Sequence, residues 1–304
     1  MNLRELEYLV ALDEERHFNR AAERCFVSQP TLSGQLKKLE QSLGVQLVER
    51  STRQVLMTDV GLAVAAQARK VLMAAKGIGE IAESFHDVMA GDLQMGLIPT
   101  IAPYLLPQIM PGLGQRLPGL KLWLHEYQTP QLLTMLKGGE LDLVIQALPI
   151  GEHDFCEVML FSEPFLLALH RDHPLAQQPR ITLNQLQDQE LLLLQAGHCL
   201  RKHALDICLQ AGARESKRFH ATSLETLRYM VGEGVGMTLM PEMAIPRHKE
   251  GQGAIRYLPF VEPVPMRSIG LLYRKGSYRQ PLFERLAEVI RQSAGETNGR
   301  VSDE

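Results

Sequence analysis

The sequence predicts two unlike folds in series: a helical unit closed by a small hairpin, then an α/β domain. Three observations carry this. The first ~88 residues hold apolar stripes at helical spacing, cut by turn signals. A polar turn, Ser28-Gln29-Pro30, separates two short helical patterns. Past residue 90 the pattern changes to strands alternating with helices.

The elements follow in order. Leu3, Leu6, Leu9, Val10 and Leu12 put an apolar stripe on a first helix, and Phe18, Ala21 and Ala22 begin a second. Ser28 can cap a third helix and Pro30 suits its first turn. That helix runs through Leu32, Leu36, Leu39 and Leu43 and stops at Gly44. Val45 to Met57 suits a hairpin carrying Arg50 and Arg53, and an alanine-rich helix runs from about Thr58 toward the Gly91-Asp92 break. Helix, helix, tight turn, helix and hairpin make a winged helix-turn-helix over residues 1–58, with a long helix over 59–90.

In such a unit the third helix enters the major groove with its first turns facing base edges. Those positions hold Ser28, Gln29, Pro30, Thr31, Ser33 and Gln35, with Arg50 and Arg53 of the hairpin placed to meet phosphates. Between His17 and Thr58 six lysines and arginines face three glutamates, a local charge of about +3. The whole chain has a net charge of −3, so bulk charge does not draw it to nucleic acid and only a local patch can. The competing reading is a helical bundle with a solvated charged face.

Beyond residue 90, Leu93 to Ile98, Leu120 to Tyr127 and Leu141 to Leu148 read as strands, and Pro103 to Leu117 and Pro130 to Lys137 as helices. This βαβαβ order predicts a parallel sheet covered by helices. Strand-like runs return at Phe165 to His170, Glu190 to Leu194, Gly236 to Met240 and Ser268 to Tyr273. A helix over Pro281 to Gln292 precedes a polar tail, residues 295–304, expected to be disordered.

The four cysteines, Cys25, Cys156, Cys199 and Cys208, are too few for a secreted disulfide scaffold. The segment Met1 to Glu7 has no apolar signal core, and no stretch approaches a membrane span. These features point to the cytoplasm. Cys25 and Cys156 sit in apolar patterns and read as packing residues.

Cys199 differs. His198 precedes it, Arg201, Lys202 and His203 follow it, and it opens a helical pattern, a setting that favours a thiolate. A thiolate attacks peroxide to give a sulfenic acid, which a second thiol such as Cys208 can condense to a disulfide. The two lie nine positions apart. If the segment is helical, they stand ~13.5 Å apart at ~1.5 Å per residue, against the roughly 4.4–6.8 Å between Cα atoms that a disulfide needs. The bond then requires the helix to melt. Two alternatives stand beside this. Both cysteines could simply pack, or His198, Cys199, His203 and Cys208 could bind zinc, although their spacing fits no zinc template.

The segment "FNRAAERCFVSQPTLSGQLKKLEQSLGVQLVERS" resembles the helix-turn-helix of LysR-type transcriptional regulators, with the Ala21-Ala22 pair, the Ser28-Gln29-Pro30 turn, Leu39-Glu40 and the Leu43-Gly44 stop. "GLIPTIAPYLLPQIMP", "LHEYQTPQLL", "GHCLRKHALDICLQAGA" and "ATSLETLRYMVGEGVGMTLMP" resemble the peroxide-sensing group of that family. The likeness spans Asn2 to about Ala294.

The resemblance implies that the long helix dimerises the chain. It implies that residues 91–294 form a regulatory domain like a periplasmic binding protein, with one lobe of 91–163 plus 268–294 and another of 164–267. It implies that Cys199 is the peroxide-reactive thiol and Cys208 its disulfide partner, with Thr100, Thr129, His198 and Arg267 lining the peroxide pocket. Arg218 and His220 stand exchanged relative to some relatives, so no role is carried onto them.

The implied partners are promoter DNA, RNA polymerase, further copies of the chain in a homotetramer built as a dimer of dimers, and a thiol reductant such as a glutaredoxin or thioredoxin system. No membrane is implied, and hydrogen peroxide is the signal with no bound cofactor. The expectation is a regulator, not an enzyme. The rivals are a thiol peroxidase fused to a DNA-binding domain and a metabolite-responsive LysR regulator whose cysteines are incidental.

Overall fold

The computed structural model describes residues 1–50, 55–84, 89–246 and 253–298. The chain forms two compact units, Met1–Asp87 and Val88–Glu304.

In the first unit α1 (Leu3–Glu15), α2 (Phe18–Arg24) and α3 (Gln29–Leu43) pack Leu9, Leu12, Ala21, Leu32, Leu36 and Leu39 into one core. Asn2 caps α1 through a reciprocal pair with Glu5. Ser28 caps α3, Pro30 lies in its first turn and Gly44 ends it with φ 70, the left-handed conformation that favours glycine. The wing pairs β1 (Val48–Arg50) with β2 (Val55–Met57), antiparallel. Glu40 ties α3 to the wing by accepting from the Leu47 and Val48 amides at 2.9 and 3.1 Å. The long helix α4 (Asp59–Ser84) begins against the wing, where a Cβ on Gly61 would stand 2.0 Å from the Leu47 carbonyl oxygen, so only glycine fits.

The second unit begins with β3 (Gly91–Leu97), α5 (Ala102–Arg116), β4 (Leu120–Glu126), α6 (Thr129–Gly138) and β5 (Leu143–Leu148). Strands β4, β3 and β5 are parallel, and every residue of β5 is buried, as a covered parallel strand requires. The expected parallel sheet is nonetheless mixed. The strand β11 (Met266–Arg274) pairs antiparallel with β5 on one side and with β6 (Phe155–His170) on the other. Returning from distant sequence, β11 needs no crossover helix and so lies antiparallel.

The expected strand at Phe165 to His170 is the second half of the 16-residue β6. That half pairs with β9 (Thr238–Pro241) and β10 (Ile255–Pro259). Between them lie β7 (Glu190–Leu194), α7 (Cys199–Ala211), β8 (Arg214–Ala221) and α8 (Leu224–Gly232), with β7 and β8 parallel.

Two apolar cores result. One gathers Leu97, Leu105, Leu132, Ile145, Leu160, Leu271 and Leu286, and the other Phe165, Leu167, Leu193, Ile207, Leu227 and Leu258. Strand β6 runs through both, so each core belongs to one lobe and β6 links them. The last helix, α9 (Gln280–Asn298), continues past Gln292, and the rest of the expected tail lies outside the described residues. Among the described residues no helix is long and apolar enough to cross a membrane.

Candidate functional site

The redox candidate is built at the N-terminal end of α7. Cys199 is the first residue of that helix, His198 its N-cap, and Gly197 turns the chain into it with φ 98. A Cβ on Gly197 would come within 2.1 Å of Gln128 Oε1, so the backbone here approaches the other lobe as only glycine permits. Cys199 belongs by sequence to the second lobe but packs against the first lobe's core.

Burial pushes its thiol up. Four groups oppose that and favour the anion: the Arg267 guanidinium, the Thr129 hydroxyl, and the backbone amides of Ala147 and Leu200. Leu200 lies in the first turn of α7, where amides have no helical partner. Ala147 lies at the end of β5, past the last residue that β3 pairs. These groups stand ready to solvate negative charge on sulfur.

Arg267, on β11, is the cation of the site and its side chain is fully buried. Its Nε donates to Glu163 Oε1 at 2.7 Å, Nη1 to Thr100 Oγ1 at 3.3 Å and Nη2 to the Thr100 carbonyl at 3.1 Å. Glu163 Oε2 accepts from the Met243 amide at 2.9 Å. Thr129 Oγ1 is buried and makes no hydrogen bond of good geometry within the chain.

The cations adjacent in sequence act elsewhere. Arg201 makes a two-pronged bond to Glu215, one prong at 2.8 Å, and also donates to the Leu194 carbonyl. Lys202 is exposed. His198 is buried, and burial lowers its pKa, so the ring is neutral at neutral pH. Its Nε2 lies 3.1 Å from the Gln128 amide nitrogen, a pure donor, so Nε2 accepts. The ring also bonds the Thr222 carbonyl. With both nitrogens engaged, His198 orients the chain more readily than it gives up a proton. Burial and Arg267 likewise keep His203 neutral. The thiolate-favouring setting expected from these neighbours is therefore supplied by Arg267, 68 positions away in sequence.

Cys208 occupies the other end of α7. It is 2% exposed in the second lobe's core, and burial followed by the Glu215 charge pushes its thiol up to about 11. Its carbonyl accepts from the Gly212 and Ala213 amides that close the helix. All four cysteines are free. The helix is continuous between the two thiols, so ~1.5 Å per residue sets them ~13.5 Å apart. The zinc alternative finds no site: among the described residues no three His, Cys, Asp or Glu side chains gather as a metal needs.

Cys25 sits at the C-cap of α2 and is partly buried, as is Cys156 in β6. His220 is half exposed, its Nδ1 3.6 Å from Glu215, while the Arg218 side chain lies outside the described residues.

The nucleic-acid candidate lies on α3. Gln29, Pro30 and Thr31 are exposed at its start, with Ser33 and Gln35 partly so. The hydroxyls of Ser28 and Thr31 lie 2.8 Å apart, which stiffens the first turn. Arg50 closes β1 but its side chain, like all of Arg53, lies outside the described residues. The local positive charge is smaller than a count over 17–58 suggests, because Arg24 pairs with Glu14 and Arg20 lies 3.5 Å from Glu15.

Residues 3–62 match the family described as bacterial regulatory helix-turn-helix protein, lysR family, and residues 86–295 match the LysR substrate binding domain. The chain belongs to the LysR family. Among its relatives is the DNA-binding transcriptional dual regulator OxyR of Escherichia coli, 52% identical over 96% of this chain and 95% of the relative. A hydrogen peroxide-inducible genes activator of Pectobacterium carotovorum is 51% identical over 96% of both chains. A full-length OxyR variant from Pseudomonas aeruginosa superposes with a TM-score of 0.78 at 42% identity, covering 96% of this chain and 95% of that one. The reduced form of OxyR matches at 0.63, with 46% identity over 68% of this chain and 97% of that one.

Within this LysR chain Thr129 and Arg267 act on Cys199, Thr100 holds Arg267, the His198 ring turns to Gln128 and Thr222, and Cys208 lies apart. Sequence reasoning missed Glu163, Gln128 and the Ala147 amide. Each lies in a strand or turn whose local pattern is ordinary, and a buried acid paired with a buried arginine 104 positions away gives no local signal.

Proposed function

We propose that this LysR-family protein is a transcriptional regulator that senses hydrogen peroxide through Cys199 and stores the signal as a Cys199–Cys208 disulfide. The observation that carries the reading is α7 itself: a thiol ringed by anion-stabilising groups at one end, a buried thiol at the other, and unbroken helix between.

In the first step Cys199 loses its proton, and the sulfur attacks one oxygen of peroxide. The O–O bond breaks, sulfur gains the hydroxyl, and the departing hydroxide takes a proton to become water. Thr100, Thr129, His198 and Arg267 line the pocket in this reading. Thr129, whose buried hydroxyl faces the Cys199 sulfur, is placed to hold a peroxide oxygen. In the second step α7 unwinds, the Cys208 thiolate attacks Cys199 sulfur, the S–S bond forms and the hydroxyl leaves as water. A dithiol reductant of the glutaredoxin or thioredoxin kind returns two electrons and two protons to reset it.

Unwinding α7 releases Leu200, Ala204 and Ile207 from the second lobe's core, so a covalent bond repacks a lobe. The altered regulatory domain then changes how a dimer of dimers, joined through α4, holds promoter DNA. Ser28, Gln29, Pro30, Thr31, Ser33, Gln35, Arg50 and Arg53 make the DNA contact, and RNA polymerase is the downstream partner in the cytoplasm.

The test is mass spectrometry of the full chain before and after stoichiometric peroxide, mapping which thiols lose alkylation. Loss at Cys199 and Cys208 together, with Cys25 and Cys156 unchanged, is expected. Peroxide-induced transcription that survives Cys199→Ser would make this a metabolite-responsive regulator instead.

A further inference from the structure

The redox centre contains a charge that the mechanism above does not use. Glu163 is buried, and both its oxygens are engaged: Oε1 accepts from Arg267, and Oε2 from the Met243 amide. We propose that Glu163 is the positioning residue of the redox centre, which fixes the Arg267 guanidinium and shares its charge, so that the Cys199 sulfur receives only part of it. This rests on Cys199 being the peroxide-reactive thiol.

Two anions compete for a single buried cation. Arg267 spends Nε on Glu163 and one donor of each terminal nitrogen on Thr100. Together these bonds lock the plane of the guanidinium, and Glu163 is 2.7 Å from it. With Glu163 ionised, the pair is neutral before Cys199 loses its proton, so forming a thiolate adds a second anion to a dry site that holds one cation.

The other ionisable groups that act on Arg267 or the sulfur do not change this balance. His203 on α7 is kept neutral by burial, and Tyr104 on α5 donates its hydroxyl proton to Glu225 at 3.1 Å. His198 is neutral for the same reason as His203. Glu163 therefore holds Arg267 where the sulfur needs it and limits how strongly it can pull. A sensor gains from this: a smaller thiolate fraction slows the reaction of Cys199, so that a higher peroxide concentration is needed to oxidise it in a given time.

The experiment measures iodoacetamide alkylation of Cys199 against pH in the full chain carrying Cys208→Ser, read by mass spectrometry. Glu163→Gln removes the charge and keeps an acceptor for Arg267. Its alkylation midpoint is expected to fall by about one pH unit, which below the midpoint is about a tenfold faster reaction. Glu163→Asp keeps the charge but lengthens the contact with Arg267, and is expected to shift the midpoint the same way by less. It decides the matter if the glutamine variant does not fold.

A midpoint that stays put or rises in the folded variants overturns the proposal, since it would mean that Glu163 only supports packing. Peroxide oxidation measured in parallel separates the two readings. A midpoint that falls while Cys199 is not oxidised by peroxide supports the role of Glu163 and removes the peroxide assignment.

Discussion

The two ends of α7 are built from the same helix and opposite environments. At the N-terminal end, Cys199 meets a buried cation, a hydroxyl and the Ala147 amide from other elements, and the Leu200 amide of its own first turn. At the C-terminal end, Cys208 meets aliphatic side chains and the charge of Glu215, and its thiol is pushed up to about 11. Both thiols are raised by burial, but Cys199 has a cation, a hydroxyl and two amides to receive negative charge, and Cys208 only its own backbone amide. Reactivity here comes from what faces the sulfur across the lobe boundary. The basic residues beside Cys199 in sequence are committed to Glu215 or to solvent. The second thiol is kept inert until the helix that buries it gives way.

The largest expected effect breaks this asymmetry outright. Cys199→Ser is expected to abolish peroxide oxidation at both positions, because burial and the Glu215 charge outweigh the one backbone amide that favours a Cys208 thiolate. Cys208→Ser is expected to keep the first step and stop there, leaving a sulfenic acid on Cys199 that a cyclic diketone traps with a defined mass increase. Equal oxidation of Cys208 in the absence of Cys199 would show that the two ends are not different in kind.

A smaller effect tests the helix between them. Asp206 is exposed in the middle of α7. Glycine there costs a helix about 1 kcal/mol relative to alanine. If unwinding precedes S–S formation, Asp206→Gly is expected to speed the disulfide step by up to about fivefold over Asp206→Ala. Sulfenic acid formation should be equal in the two. Stopped-flow measurement of both phases reads this, and identical second phases would show that the turn holding Asp206 stays helical through the rate-limiting step.

Which of these features the sequence displays follows from their range. The helix-turn-helix was legible because its signals are local: the Ser28 cap, the Gly44 stop and the leucine spacing act within one helix. The two thiols and the helical spacing between them were legible for the same reason. The mixed sheet was not, because the antiparallel return of β11 depends on pairing across more than a hundred residues. Nor was β8, whose Arg214, Glu215, Lys217 and His220 hide a strand under charge. The Arg201 and Lys202 cluster misled for an instructive reason. A residue two or three positions along a helix from a sulfur need not face it, whereas Arg267 arrives from another strand.

The smallest expected effect asks whether the Cys199 end holds one cation or two. His198 is neutral when folded because burial lowers its pKa from 6.5. The unfolded chain therefore binds a proton that the folded chain refuses in the window just below pH 6.5. Stability contributed by this residue is complete above that pH and is lost as pH falls toward the folded value. His173 and His203 are lowered as well and tilt stability the same way, so the parent protein is expected to lose thermal stability on acidification through this window. His198→Gln keeps a polar side chain beside Gln128 but cannot titrate, and it is expected to flatten that slope by at most about 1.4 kcal/mol per pH unit, the limit for one proton. A variant with the parent's slope would mean that His198 titrates alike in the folded and unfolded chain and so takes up a proton below pH 6.5. The sulfur would then have a second cation beside it, and Arg267 would no longer be the sole charge that separates one end of α7 from the other.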